Sequence, residues 1–317
     1  MTILASMDIG SYTTRLLVAE VKEENKIKAL LRERIYTRIG EDLSFFESMD
    51  LSEEAQVRVI EAVRKLYGQA LSQGATTIFA AATGVIRESR NGAQLAQRVY
   101  EETGLKIEII SGLEEAALTG KGALSALPDV GPPLVVFDLG GGTTEFFYMA
   151  GDQENETVFS LPVGAAVLTQ QFLREDPPSA HDIAAAQEAI RGLLRGIPNL
   201  GHDGDKPGTV IGTGGTVTSL AAMSCNLNLE DVSPERFNGV RISASQARGI
   251  FDRIKQLRSF ERALLPGLDS SRADVIIAGA LCVITILEHF QTTMLVVSLS
   301  DILEGLLING LTKIDRL

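Results

Sequence analysis

The feature that most constrains this chain is a motif that occurs twice. An apolar run at 3–9 ends in Asp8-Ile9-Gly10-Ser11, and a second apolar run follows at 15–21. From 134 the scheme restarts. An apolar run leads into Asp138-Leu139-Gly140-Gly141-Gly142-Thr143, and another apolar run returns at 146–149. Short apolar runs bounded by glycine turns read as strands. Each copy is therefore a hairpin with a carboxylate at the end of its first strand. The two aspartates lie 130 residues apart, the length of a whole domain, so the repeat marks a duplicated domain rather than a solenoid. Two similar domains leave a cleft between them, a favoured place for a ligand.

The sequence between and after the hairpins alternates strands with helices, which makes the fold class α/β. Residues 27–39 give a third strand. Residues 52–72 read as an amphipathic helix with Val57, Ile60, Val63, Leu66 and Leu71 on one face. A buried strand at 77–82, a helix at 93–102 closed by Gly104 and a strand at 106–110 follow, and Ser111 starts another helix. Asp129-Val130-Gly131-Pro132-Pro133 punctuates the chain. The expected domains are 1–126 and 127–317, with the last helix returning to the first domain. The second half adds a strand at 158–162, a strand at 209–211 that runs into Gly212-Thr213-Gly214-Gly215-Thr216, a helix at 272–288, a strand at 294–297 and a final helix at 301–309.

Charge narrows the partners. Lys and Arg number 29 against 41 Asp and Glu, a net charge of −12. An acidic surface repels nucleic acid and anionic membranes, so neither is an expected partner. It also repels a polyanionic substrate, so a phosphate site has to be local. The apolar run 275–287 is shorter than the ~20 residues a bilayer needs, and reads as a core helix. Cys225 and Cys282 form no CxxC pair and suit a reducing compartment. His181, His202 and His289 lack metal-ligand spacing. The N-terminus enters a strand pattern without a basic leader, so a cytoplasmic protein is expected.

Five stretches can carry chemistry. In the glycine hairpins, backbone N–H groups can approach a phosphate and form an anion nest. The adjacent carboxylates then call for a cation, and Mg2+ held by one or two carboxylates, waters and phosphates fits. The 212–216 turn opens a helix, whose N-terminal N–H groups suit an anion. Ser111 and Glu114 form a capping box. Glu115 is turned ~100° away from Glu114, and is either a solvated first-turn glutamate or a general base facing a cleft. Arg87 or Arg90, just after a strand, is either a phosphate clamp or a surface arginine. Arg236, Arg241, Arg248, Arg253, Lys255, Arg258, Arg262 and Arg272 form a basic tract that is either a track for an extended polyanion or a solvated face.

Together these segments resemble the exopolyphosphatase / guanosine pentaphosphatase family. The resemblance is carried by Asp8–Ser11, the Ala-Thr segment ending at Arg87, ISGLEEA (110–116), DLGGGTTE (138–145), SLPVG (160–164), GTGGT (212–216) and RADVIIAGA (272–280), in that order along nearly the whole chain. The hairpins alone reach only to the actin-like superfold, shared with sugar kinases, acetate kinase and Hsp70-type chaperones. The resemblance implies two actin-like (ASKHA, ribonuclease H-like) α/β domains and hydrolysis of a terminal phosphoanhydride of polyphosphate or guanosine pentaphosphate. Glu115 matches the catalytic base, with Glu145 also catalytic. Asp138 and Glu145 match acidic residues linked to Mg2+ and the attacking water, and Asp8 joins that metal set. Arg87, Ser11, Thr13, Gly141, Gly142, Thr143, Gly214 and Gly215 match phosphate-binding positions. Mg2+, with a monovalent cation such as K+, and a homodimer are implied as well.

Three departures accompany the resemblance. Tyr12 stands where the family has Asn, and is expected to narrow the site or stack on a base. Leu303 stands where the family has Arg, which removes a phosphate or interdomain contact. Longer members carry further C-terminal helical domains, so a short form with limited processivity is expected here. Two other readings stay open: an actin-like ATP-dependent phosphotransferase, which lacks the Glu115 motif, and a non-catalytic sensor of polyphosphate or guanosine polyphosphates.

Overall fold

A computed structural model of the chain describes residues 2–21, 27–39, 48–151, 156–197 and 207–314. His202 lies outside these residues. In chain order the first elements are β1 (Thr2–Ile9), β2 (Thr13–Val21), β3 (Ile27–Tyr36), α1 (Glu53–Ser72), β4 (Thr77–Ala82), α2 (Gly84–Glu88), α3 (Gly92–Thr103), β5 (Ile107–Ile109) and α4 (Gly112–Ser125). Then come β6 (Leu134–Leu139), β7 (Thr144–Met149), β8 (Glu156–Leu161), α5 (Ala165–Phe172), α6 (Ala180–Leu194), β9 (Thr209–Thr213) and α7 (Gly215–Ser224). The last are α8 (Pro234–Phe237), β10 (Arg241–Ser243), α9 (Ala244–Ile254), α10 (Ser259–Arg262), α11 (Ile276–His289), β11 (Met294–Val297) and α12 (Ile302–Ile314).

The chain forms two compact units, Met1–Gly122 with Ile302–Leu317, and Ala123–Asp301. The division is discontinuous: the units meet at 122/123 rather than at 126/127, and the final helix belongs to the first unit. That unit holds a sheet of order β3-β2-β1-β4-β5. β1 pairs antiparallel with β2 and parallel with β4. Alternation along the strands divides their side chains between two faces. Ala5, Met7, Ile9, Leu16 and Val18 pack with Val59, Val63, Leu66, Leu95 and Val99 of α1 and α3. Leu4, Leu17 and Ala19 pack with Leu303 and Leu307 of α12.

The second unit repeats the scheme. Its sheet order is β10-β11-β9-β6-β7-β8. Reading β8-β7-β6-β9-β11 against β3-β2-β1-β4-β5 gives the same alternation of antiparallel and parallel neighbours. The duplication read from the two hairpins is thus a duplication of whole sheets. Every residue of Ile276–Leu287 in α11 is buried. Such a helix, apolar all round, is the central core element of its unit, and each large aliphatic contributes roughly 1.5–3 kcal/mol. Among the described residues no helix is long and apolar enough to cross a membrane. Both cysteines are free, and burial pushes the Cys282 thiol up to about 12.

Three local expectations change. In α1 the buried stripe is Ala55, Val59, Ile60, Ala62, Val63, Leu66 and Ala70, while Val57 and Leu71 are exposed. Val57 is two residues from Val59, ~200° round the helix, and three small alanines rather than two large apolar residues complete the stripe. Residues 270–272 form a 3-10 turn with Asp269 accepting from the Ser271 N–H at 3.1 Å, so Arg272 precedes the helix instead of beginning it. Residues 84–88, between β4 and α3, form a short helix that apolar periodicity gave no hint of.

Candidate active site

The two hairpin turns close in the same way. The Gly10 N–H donates to Thr13 O at 2.9 Å, and the Gly140 N–H donates to Thr143 O at 3.0 Å. In both, the aspartate sits one residue before the last β-bridge of the hairpin. What faces it across the ladder differs: Asp8 is opposite Arg15, and Asp138 is opposite Glu145.

In the first unit the carboxylate is neutralised locally. Asp8 Oδ2 accepts from Arg15 Nη2 at 2.7 Å and from Arg15 Nε at 3.0 Å, and Asp8 Oδ1 accepts from the Thr83 hydroxyl at 3.2 Å. A cation at Asp8 would have to displace a guanidinium, so Asp8 fits a metal set poorly. Ser11 Oγ accepts from the Val85 N–H at 2.9 Å. The first turn thereby caps the start of α2, satisfying one of its unpaired N–H groups. Gly84 lies beneath this contact with φ +50, and a Cβ there would collide with the Ser11 hydroxyl. Ser11 and Thr13 are buried, so this turn is less open to a ligand than its counterpart.

α2 and the start of α4 bring Arg87 to Glu115. Arg87 Nη1 donates to Glu115 Oε2 at 2.5 Å. Arg90 is exposed and takes no part. Glu114 makes the expected capping box: its Oε2 accepts from the Ser111 N–H at 2.9 Å, and the Ser111 hydroxyl accepts from its N–H at 3.2 Å. The Ser111 N–H and, at 2.9 Å, the Ser111 hydroxyl, both donating to Oε2, hold Glu114 below the usual carboxylate range. Glu115 is buried, 7% exposed. Burial pushes its carboxyl up from 4.5 to about 7, against the opposing pull of Arg87, with Asp8 adding to the rise and Arg15 subtracting from it. A solvated first-turn glutamate is therefore excluded.

In the second unit the strands build a polar row. Thr213 on β9, Asp138 on β6, Glu145 on β7 and Ser160 on β8 are successive register partners. The next row on the same face is apolar: Ile211, Val136, Phe147 and Val158. Asp138 is 8% and Glu145 2% exposed. Two carboxylates directly opposite each other in a sheet repel, and the Ser160 hydroxyl donates to Glu145 Oε1 at 2.9 Å. Among the described residues no group of three or more His, Cys, Asp or Glu could hold a metal. Mg2+ asks for less, one or two carboxylates with waters and phosphates, and Asp138 with Glu145 fits it.

The second turn is open to an anion. The carbonyls of Gly140 and Gly141 accept from the first N–H groups of α5, those of Ala165, Ala166 and Val167, at 2.9–3.1 Å. Among the described residues the N–H groups of Gly141, Gly142 and Thr143 meet no acceptor. Consecutive unpaired N–H groups make an anion nest. Gly214 and Gly215 open α7, and the Arg272 guanidinium lies so close to Gly215 that a Cβ there would collide with it. Arg272, read from the sequence only as one member of the basic tract, is thereby a candidate anion-binding residue at this turn. Its signal was the Gly-Gly pair at a helix start.

The remaining expectations are corrected by packing. Tyr12 is buried, edge-on to Tyr36 with centroids 5.6 Å apart, and the Arg38 guanidinium lies 5.2 Å from its ring. It neither narrows a site nor stacks on a base. Leu303 is a core residue against Leu4 and Leu17. Half of the basic tract is paired locally: Arg236 with Asp231, Arg248 with Glu288, Lys255 with Asp252, and the buried Arg262 with Asp176.

A statistical model of the Ppx/GppA phosphatase family matches residues 17–314. The chain is 28% identical over 315 residues to a bifunctional 3-dehydroquinate synthase/phosphatase of Fusobacterium nucleatum, covering 96% of this chain and 46% of that protein. It thus spans about half the length of that relative. It is 28% identical over 323 residues to exopolyphosphatase 2 of Mycobacterium tuberculosis, covering 96% and 98%. The crystal structure of the Ppx/GppA family member of Aquifex aeolicus matches with a TM-score of 0.81 at 28% identity, over 99% of each chain, and the fold is the actin-like two-domain fold. On these grounds the chain belongs to the Ppx/GppA phosphatase family.

Proposed function

We propose that this protein releases terminal phosphate from inorganic polyphosphate or guanosine pentaphosphate. The single observation that carries the reading is Glu115, a buried carboxylate held by Arg87 with its pKa at about 7. A general base works best when its pKa lies near the working pH. The relative named exopolyphosphatase 2 supports polyphosphate as a substrate class.

In this reading the N–H groups of Gly141, Gly142 and Thr143 bind phosphate oxygens, and Arg272 with the 214–215 turn adds donors. Ser11 and Thr13 keep the first turn and α2 in shape, and their hydroxyls remain able to donate to a phosphate. Arg87 holds Glu115 until a phosphate competes for the guanidinium. Water adds to the terminal phosphorus, the anhydride P–O bond breaks, and Glu115 takes the proton of the water. The leaving phosphate carries away the electron pair of the broken bond. Asp138 and Glu145 would hold Mg2+, which when bound neutralises phosphate charge. The two departures that favoured a non-catalytic sensor, Tyr12 and Leu303, are both spent in packing, so nothing specific favours that reading.

The test is phosphate release from short polyphosphate, long polyphosphate, guanosine pentaphosphate and ATP in parallel, with Mg2+ and with chelator. Mg2+-dependent release from one of the first three is expected. Silence on all three returns the sensor, and release from ATP alone returns the phosphotransferase.

A further inference from the structure

We propose that the Thr213 hydroxyl is a positioning group for the cation site at Asp138 and Glu145, hydrogen-bonded to a water that the bound cation carries. The inference rests on the cation reading given above and assigns a role to a residue that reading does not use.

Four observations carry it. Thr213 stands in register with Asp138 on the adjacent parallel strand, so the two side chains share a face. It is 1% exposed, and its Oγ1 meets no hydrogen-bond partner. A buried hydroxyl without a partner is costly, and such groups are rare in folded proteins. Packing does not ask for a hydroxyl here, since the previous residue on that face of β9 is Ile211, part of an apolar cluster, and valine has the same shape as threonine. Finally, the chain turns sharply just after Thr213: Gly214 has φ +93, and a Cβ there would lie 2.8 Å from Asp138 Oδ1. The Asp138 carboxylate therefore lies against the backbone next to Thr213.

The row then reads hydroxyl, carboxylate, carboxylate, hydroxyl. At one end Ser160 already donates to Glu145. At the other end Thr213 is the matching group, with its donor and acceptor capacity unspent. Among the described strand residues Thr14 shares the orphan condition, but its register partners are Ile9 and Ile35, not carboxylates. A hydrated Mg2+ on the carboxylate pair would bring ordered water to the Thr213 hydroxyl and end its isolation. Partners of this kind set the orientation of a metal's waters, and their loss typically costs ~10–100-fold in metal affinity or activity.

The experiment compares the full-length wild type with Thr213→Val and Thr213→Ser. Thermal unfolding is followed without metal and across a MgCl2 titration in the absence of substrate, and phosphate release is measured separately. For Thr213→Val the expected metal-free Tm is equal to the wild-type value or higher by ~1–4 °C, because an orphan hydroxyl has been removed. The same variant is expected to bind Mg2+ at least ~10-fold more weakly and to turn over correspondingly slowly at limiting Mg2+. Thr213→Ser is expected to stay within about twofold of wild type in Mg2+ affinity, because the hydroxyl is kept. Unchanged Mg2+ affinity in Thr213→Val overturns the proposal, as does a clear fall in its metal-free Tm, which would mean that the hydroxyl serves the fold. A wild type whose Tm ignores Mg2+ overturns the cation reading itself and this inference with it.

Discussion

Glu115 owes its raised pKa to burial first, with Arg87 as the main opposing influence. Three predictions follow from that order. A base acts when deprotonated, so kcat/KM is expected to rise with pH through about 7 and level off above it; a profile flat from pH 5 to 9 would contradict the assignment. Glu115→Gln keeps the shape and loses the proton acceptor, so kcat is expected to fall by ~10²–10⁴-fold with substrate binding retained, measured by single-turnover phosphate release. Arg87→Ala removes the charge that pulls the Glu115 pKa down. The rising limb should then move to higher pH, and KM should increase. The linkage has a definite sign. The folded protein holds a proton on Glu115 that the unfolded chain releases near 4.5, so this group's ionisation costs stability as pH climbs from 4.5 through about 7. Denaturant titrations of wild type and Glu115→Gln across that window should diverge, with the wild type losing more.

At the level of elements, the same turn has been put to two uses. In the β1–β2 hairpin the facing Arg15 neutralises Asp8 and Ser11 caps α2, so the turn organises Arg87 and Glu115. In the β6–β7 hairpin the facing residue is Glu145, the carbonyls of Gly140 and Gly141 are taken by α5, and among the described residues the N–H groups of Gly141, Gly142 and Thr143 meet no acceptor. One cross-strand residue, arginine or glutamate, separates an ion pair from a facing pair of carboxylates, the pair that the proposed function assigns to Mg2+. The final helix supplies the next test. Leu303 on α12 is 4% exposed against Leu4 and Leu17. Leu303→Arg, which places the family's residue there, would bury a charge in an aliphatic cluster. We expect a loss of roughly 3 kcal/mol or more in unfolding free energy, read by urea denaturation; a neutral result would mean that the helix end shifts to let the charge reach water.

At the scale of the whole molecule, charge opposes the proposed substrate. A net charge of −12 repels polyphosphate over distances beyond contact, and salt screens that repulsion with a Debye length of ~8 Å at physiological ionic strength. KM for long polyphosphate is therefore expected to fall as KCl rises from low to physiological concentration at fixed free Mg2+. A basic binding track would give the opposite trend, and a rising KM would assign that role to the 236–272 tract. Local ion pairs already account for Arg236, Arg248, Lys255 and Arg262.

Much of this protein was legible in the amino-acid sequence. The 130-residue repeat of the Asp–Gly hairpins specified two α/β units, because strand periodicity and glycine turns are local properties of the chain. The capping box of Ser111 and Glu114, and with it the different heading of Glu115, followed from helix geometry alone. What lay beyond the sequence were the pairings between distant segments. That Arg87 meets Glu115, that Arg15 spends the charge of Asp8, that Thr213 stands beside Asp138, and that Arg272 reaches Gly215 depend on strand register and chain reversal across 7 to 75 residues. The sheets, α2 and the 270–272 turn set those distances. Burial, which moves the Glu115 pKa, exists only once the chain has closed around it, so no reading of residue order could supply it.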